Sequence, residues 1–200
     1  VVRLPDDNHN GVWAAVFGNG YESAEGKAAL YLVNVATGER LEELLVEDPE
    51  ERENNGLSSA MPIDYDGDAK VDYIYAGDLQ GRLWRFEPTT AGGWKVSFDG
   101  KPLFTDEVTI ENVRTYQPIT VRPEVVRHPQ GGVLVLFGTG PYYRTADRTP
   151  NTDQTKVNAF YGIWDRLDGT SDIRITHLLQ QQILAEQTVG GYEVRVTSDN

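Results

Sequence analysis

The stretch Ile63-Asp-Tyr-Asp-Gly-Asp-Ala-Lys-Val-Asp-Tyr-Ile-Tyr75 places Asp64, Asp66, Asp68 and Asp72 within nine residues and then enters an apolar run. At a separation of about 4 Å, two like charges repel by about 1 kcal/mol in water and about 4 kcal/mol in partly buried surroundings. A bound cation offsets that repulsion. Hard cations take oxygen ligands, and a loop with carboxylates at alternate positions supplies them by curling round the ion. With Asp64 as the first position, Asp66 is third, Asp68 fifth, the Lys70 backbone carbonyl seventh and Asp72 ninth, in the pattern of an EF-hand-type calcium loop. Two positions depart from it: Ala69 is sixth, where such loops turn on glycine, and Tyr75 is twelfth, where they carry a bidentate glutamate. Gly67 at the fourth place eases the curl in part. Calcium is favoured over magnesium, which keeps more of its waters. No helix pattern precedes Asp64 and Val71–Tyr75 reads as a strand, so the loop sits on a β-scaffold rather than between EF-hand helices. The competing reading is an ordinary turn rich in Asp and Gly.

The rest of the chain offers little other chemistry. His9, His128 and His177 fall in a terminal loop, a hairpin turn and a helical stretch, with no spacing suited to zinc or to a triad. The absence of cysteine removes disulfides, thiolate catalysis and thiolate metal sites. Asp165, Asp168 and Asp172 follow a strand and read as a turn in preference to a second ion site. Trp13, Trp84, Trp94 and Trp164 lie in strand-like runs and read as packing between sheets rather than as a sugar platform.

The elements that must hold the acidic loop repeat. Val12–Tyr21, Val71–Gly81 and Gly132–Pro141 are each β-branched or aromatic runs ending in a glycine turn. Each is followed by another strand-like run: Ala28–Val35, Arg82–Phe86 and Asn158–Asp165. Further extended pairs, Ala36–Leu44 and Trp94–Phe104, bring each unit toward the four strands of a propeller blade. The chain therefore reads as all-β, a fragment of about three to four antiparallel blades, with units at 1–58, 59–114, 115–176 and the start of a further blade at 177–200. His177–Gln187 has apolar residues at 178, 179, 183 and 184 and is assigned to a short helix. Glu47–Ser59 and Arg144–Lys156 read as polar loops, the second as a candidate functional insertion.

A formal charge of −13, from 31 acidic and 18 basic residues, repels nucleic acid and favours cations or basic partners. No apolar run approaches the length of a membrane-spanning helix, and the start has no signal-peptide pattern.

On Ala14–Ser23, Ala60–Glu87, Tyr116–Val126, Gly132–Tyr143 and Phe160–Asp165, the chain resembles the C-terminal β-propeller of the PilY/PilC-type proteins associated with bacterial type IV pili. The aspartate loop with Tyr75-Ala-Gly-Asp-Leu-Gln-Gly-Arg-Leu-Trp-Arg-Phe86 directly behind it carries the resemblance most specifically. It implies a modified β-propeller whose calcium loop controls pilus extension and retraction, twitching motility and surface attachment. The calcium ligands it implies are Asp64, Asp66, Asp68, the Lys70 carbonyl and Asp72, and alanine in place of the family's glycine at 69 bears on affinity. It further implies a larger exported protein at the bacterial cell surface, pilus or outer membrane and periplasm, with more blade sequence on both sides. The implied partners are pilin or minor pilins, with a host or abiotic surface as a further target.

Three other readings compete. Ala29–Leu41 and Gly77–Phe86 also look like blades of pyrroloquinoline-quinone dehydrogenases, but Asn34 and Glu42 replace residues typical of those repeats and no vicinal cysteine pair exists, so a non-enzymatic role is expected. A lectin has no supporting motif. A structural or adhesive module with calcium as a staple and no switching role stays open, since ligand identity does not fix what the bound state signals.

Overall fold

A computed structural model of the chain describes residues 1–5, 11–47, 54–110, 113–149 and 158–198. His9, residues 48–53 of the 47–59 loop and residues 150–156 of the 144–156 loop lie outside the described residues. Four strands, β1 (Val2–Leu4), β2 (Val12–Gly18), β3 (Ala28–Asn34) and β4 (Arg40–Val46), form an antiparallel meander in chain order. A second sheet is built from β5 (Met61–Ile63), β6 (Tyr73–Gly77), β7 (Arg82–Pro88), β8 (Trp94–Val96) and β9 (Phe104–Thr105). β7 is long enough to pair with β6 on one edge, and with both β8 and β9 at different heights of the other. The hairpin β10 (Glu107–Ile110) with β11 (Val113–Tyr116) leads to a third sheet of β12 (Glu124–Arg127), β13 (Val133–Gly138) and β14 (Phe160–Asp165). The chain then returns: β15 (Ile173–Arg174) adds to β9 in parallel, and β16 (Ile183–Val189) with β17 (Tyr192–Thr197) closes as a separate hairpin.

Burial follows from how these sheets stack. β13 alternates, with Val133, Val135 and Phe137 buried and Leu134 and Leu136 only partly so, as expected for a strand with one core face. β6 and β7 are buried on both faces because the second sheet is sandwiched. Ile74, Ala76, Trp84 and Phe86 pack with Leu30, Leu32 and Val46 of the first sheet. Tyr75, Leu83 and Phe104 pack with Val133, Val135, Phe137 and Ile163 of the third. At about 1.5–3 kcal/mol for each fully buried large apolar side chain, these two layers are the main source of stability. The face-to-face stacking of antiparallel sheets in chain order is the arrangement expected of successive blades.

Two expectations are corrected. The 177–187 segment is not a helix: a 3₁₀ turn at Ile175–His177 is followed by β16 from Ile183. Gly190 and Gly191, both at positive φ, make the tight turn that returns β17 onto β16, and cross-strand pairing satisfies the backbone that a helix would have satisfied internally. Of the four tryptophans, Trp84 and Trp94 are buried between sheets, whereas Trp13 is 59% exposed and Trp164 is partly exposed beside the β12–β13 turn. Alternation along a strand marks two faces, and only the stacking decides which of them is core.

Candidate metal centre

The acidic loop is the connection between β5 and β6, at the edge of the central sheet. Its neck is closed by two backbone bonds: the Asp72 N–H donates to the Ile63 carbonyl, and the N–H of buried Val71 donates to the Arg3 carbonyl on β1, each at 2.9 Å. Above the neck, every backbone N–H from Tyr65 to Lys70 donates to an aspartate carboxylate. Tyr65 and Asp66 donate to Asp72 Oδ2, at 2.6 and 3.2 Å. Gly67 and Ala69 donate to the two oxygens of Asp64, at 2.6 and 2.8 Å. Asp68 donates to Asp66 Oδ1 at 3.0 Å, and Lys70 to Asp68 Oδ1 at 2.8 Å. Short aspartate side chains that accept from their own loop impose this curl, the reason Asp is favoured in turns.

The curl demands left-handed backbone at Gly67 (φ +89°) and at Ala69 (φ +67°). Glycine adopts that conformation freely; an alanine is strained there. The sixth position therefore needs what its residue type does not supply.

Three of the four carboxylates converge: ligand oxygens of Asp64, Asp66 and Asp72 lie within 4.8 Å of one another, the one such group among the described residues. Asp68 turns away. Its Oδ2 accepts from Lys70 Nζ at 2.9 Å, and that bond, with the Lys70 backbone N–H, holds its carboxyl below the usual carboxylate range. A hard divalent cation fits a donor set made only of carboxylate oxygens at this separation. The ligands would be Asp64, Asp66 and Asp72.

The other sequence candidates do not converge. His128 stacks on Trp164 with ring centres 4.1 Å apart, and His177 Nδ1 accepts from the Arg174 N–H. Asp168 caps the Thr170 N–H, Asp172 pairs with Arg174 at 2.6 Å, and Asp165 is buried elsewhere.

Asp165, read from the sequence as a turn residue, is instead buried at the end of β14. Its carboxylate accepts two bonds from Arg85 Nη1, at 3.1 and 2.9 Å, and one from the Tyr75 hydroxyl at 2.8 Å. The Arg85 guanidinium lies over the Phe98 and Tyr73 rings and also reaches Ser97 and Glu87. This network ties the central sheet to the third sheet in the apolar layer behind the loop. Burial, reinforced by the neighbouring Asp165 charge, drives the Tyr75 hydroxyl far above its ordinary range. Asp78, in the glycine turn between β6 and β7, is likewise buried and accepts from the Gln80 and Arg82 N–H groups, Trp84 Nε1 and Asn55 Nδ2. It explains why the run from Tyr75 to Phe86 has such a distinctive composition: the turn, the core tryptophan and the 54–58 segment share one carboxylate.

This chain belongs to the PilY1 β-propeller domain family, whose family model matches residues 6–194. It is 38% identical over 200 residues to the type IV pilus biogenesis factor PilY1 of Pseudomonas aeruginosa strain PAO1, covering 90% of this chain and 17% of that protein. A PilY1 homolog of Xylella fastidiosa strain Temecula1 is 37% identical over 172 residues, covering 78% of this chain and 11% of the relative. The crystal structure of the Pseudomonas aeruginosa PilY1 C-terminal domain superposes with a TM-score of 0.81 at 36% identity, over all of this chain and 45% of that one. The chain thus spans less than a fifth of the length of these curated relatives. No helix among the described residues is long and apolar enough to cross a membrane.

Proposed function

We propose that this domain is a calcium-binding propeller segment of an exported type IV pilus biogenesis and adhesion factor, and that its acidic loop regulates pilus extension and retraction, and with them twitching motility and surface attachment. The observation that carries the reading is the convergence of Asp64, Asp66 and Asp72 in a loop whose own amides already orient them. The names of the relatives supply the pilus context. Asp64, Asp66 and Asp72 hold the ion directly; Asp68 joins by leaving Lys70, and the Lys70 carbonyl completes the set. Bound calcium supplies the positive charge that three clustered carboxylates lack. Pilin or minor pilins are the partners, at the cell surface, and the role is non-enzymatic.

Because the ion binds only the folded loop, calcium at about a hundred times its dissociation constant adds about 2.7 kcal/mol of stability. Calorimetric titration of metal-stripped protein with calcium and then magnesium tests the site; a flat calcium trace overturns it. Retraction assays on a strain carrying Asp64→Ala test the switch: calcium binding without any retraction defect leaves the ion as a staple only.

A further inference from the structure

Tyr65, the second residue of the acidic loop, is held at both ends. Its N–H donates to Asp72 Oδ2, inside the carboxylate cluster, at 2.6 Å. Its other hydrogen-bonding and cation–π partners lie on the third sheet. The carbonyl accepts from Arg127 Nη2, the last residue of β12, and the Arg127 guanidinium lies 5.1 Å from the centre of the Tyr65 ring. The hydroxyl accepts from the Gly132 N–H in the β12–β13 turn at 3.3 Å. The neighbouring Gly131 carbonyl accepts from Trp164 Nε1 at 2.8 Å, and His128 of the same turn stacks on that indole. The turn is seated tightly, since a side chain at Gly132 would meet the Asp165 carbonyl oxygen at 2.2 Å. A continuous path of direct contacts therefore runs from Asp72 through Tyr65 to the turn and Trp164.

We propose that Tyr65 and Arg127 couple cation occupancy of the Asp64/Asp66/Asp72 cluster to the β12–β13 turn, with Arg127 as a positioning residue for the loop. The coupling rests on the calcium reading above. Asp72 Oδ2 already accepts from the Tyr65 and Asp66 amides, so a cation that draws on the same carboxylate pulls against those two bonds and shifts the Tyr65 contact. Tyr65, clamped by Arg127, passes that change to Gly132 rather than absorbing it by swinging into solvent. Coupling is reciprocal, so a turn fixed by Arg127 favours the ion-binding form of the loop. Electrostatics alone predicts the opposite sign: Arg127 is a cation beside a cation site, and its removal would tighten calcium binding.

The test follows calcium titration of the metal-stripped chain by calorimetry and tryptophan fluorescence together, with Trp164→Phe isolating the Trp164 signal. The wild type is expected to give heat and a Trp164 change at the same midpoint. Arg127→Ala is expected to weaken calcium binding by about fivefold or more and to abolish the Trp164 response, and Tyr65→Phe, which keeps the ring and the amide but loses the hydroxyl contact, to reduce the response with the heat retained. Calcium heat with a silent Trp164, or Arg127→Ala binding as tightly as or more tightly than wild type, overturns the coupling alone. A flat calcium heat in the wild type overturns the calcium reading, and the coupling with it.

Discussion

Ala69→Gly is expected to stabilise the protein, although glycine in place of alanine ordinarily does the reverse. Ala69 is exposed and holds φ at +67°, and its N–H donates to Asp64 Oδ2 at 2.8 Å. Left-handed backbone costs an L-residue about 1–2 kcal/mol relative to glycine. Against that, the greater freedom of glycine in the unfolded chain takes back about 0.4–1 kcal/mol. No packing is lost with an exposed methyl, and the amide bond to Asp64 survives. The net gain is about 0.5–1 kcal/mol, which for a chain of this size is a rise in Tm of about 1–3 °C, or in urea a midpoint shift of about 0.3 M at unchanged slope. The measurement belongs on metal-stripped protein, where strain in the loop is read without any contribution from an ion. Ala69→Val should move the midpoint the other way, since a β-branched residue tolerates this region still less. A lower midpoint for Ala69→Gly would mean that position 69 is not left-handed in solution, and the curl that brings the three carboxylates together would fall with it.

Asp165→Ala should cost about 2–4 kcal/mol, because it leaves Arg85 Nη1 and the Tyr75 hydroxyl without this acceptor and the guanidinium with Glu87 as its remaining carboxylate; a loss below about 1 kcal/mol in thermal or urea unfolding would show that the pair is solvated. Asp106 is buried with Oδ2 unpartnered, and burial pushes its carboxyl up to about 6. Its folded value lies above its unfolded one, so its contribution is fully present below about pH 4 and is lost as pH rises through about 6. Asp106→Asn should therefore flatten the fall in stability over that window and gain about 2–3 kcal/mol at pH 7, and an unchanged pH profile in denaturant titrations would refute the assignment. Asp64→Ala and Asp72→Ala should each abolish most of the calcium-dependent rise in Tm while leaving the far-ultraviolet spectrum of the metal-stripped protein unaltered, since the strand cores lie apart from the loop; retention of the full rise would place the ion elsewhere.

What could be read from the chain alone is what local geometry controls. Aspartates closely spaced in one turn reach the turn's own amides and one another, so Asp64, Asp66, Asp68 and Asp72 stood out as one candidate set without any knowledge of the sheets. Strand identity was equally local: β-branched and aromatic runs ending in glycine turns became β2, β6 and β13. Even the anomaly at Ala69 was visible as a residue out of keeping with its position, and the backbone there is left-handed.

Tertiary structure decided the rest, for reasons of distance and of competition. Residues 178–184 have a helical period, but a hairpin partner beyond Gly190–Gly191 pairs with the strand that begins at Ile183. Trp84 and Trp164 occupy similar strand contexts, and one is buried because a sheet packs over it while the other meets the β12–β13 turn and the Arg166 guanidinium. Arg85 and Asp165 are eighty residues apart, as Tyr65 and Gly132 are sixty-seven. No sequence period links either pair, because what joins them is the stacking of one sheet on the next.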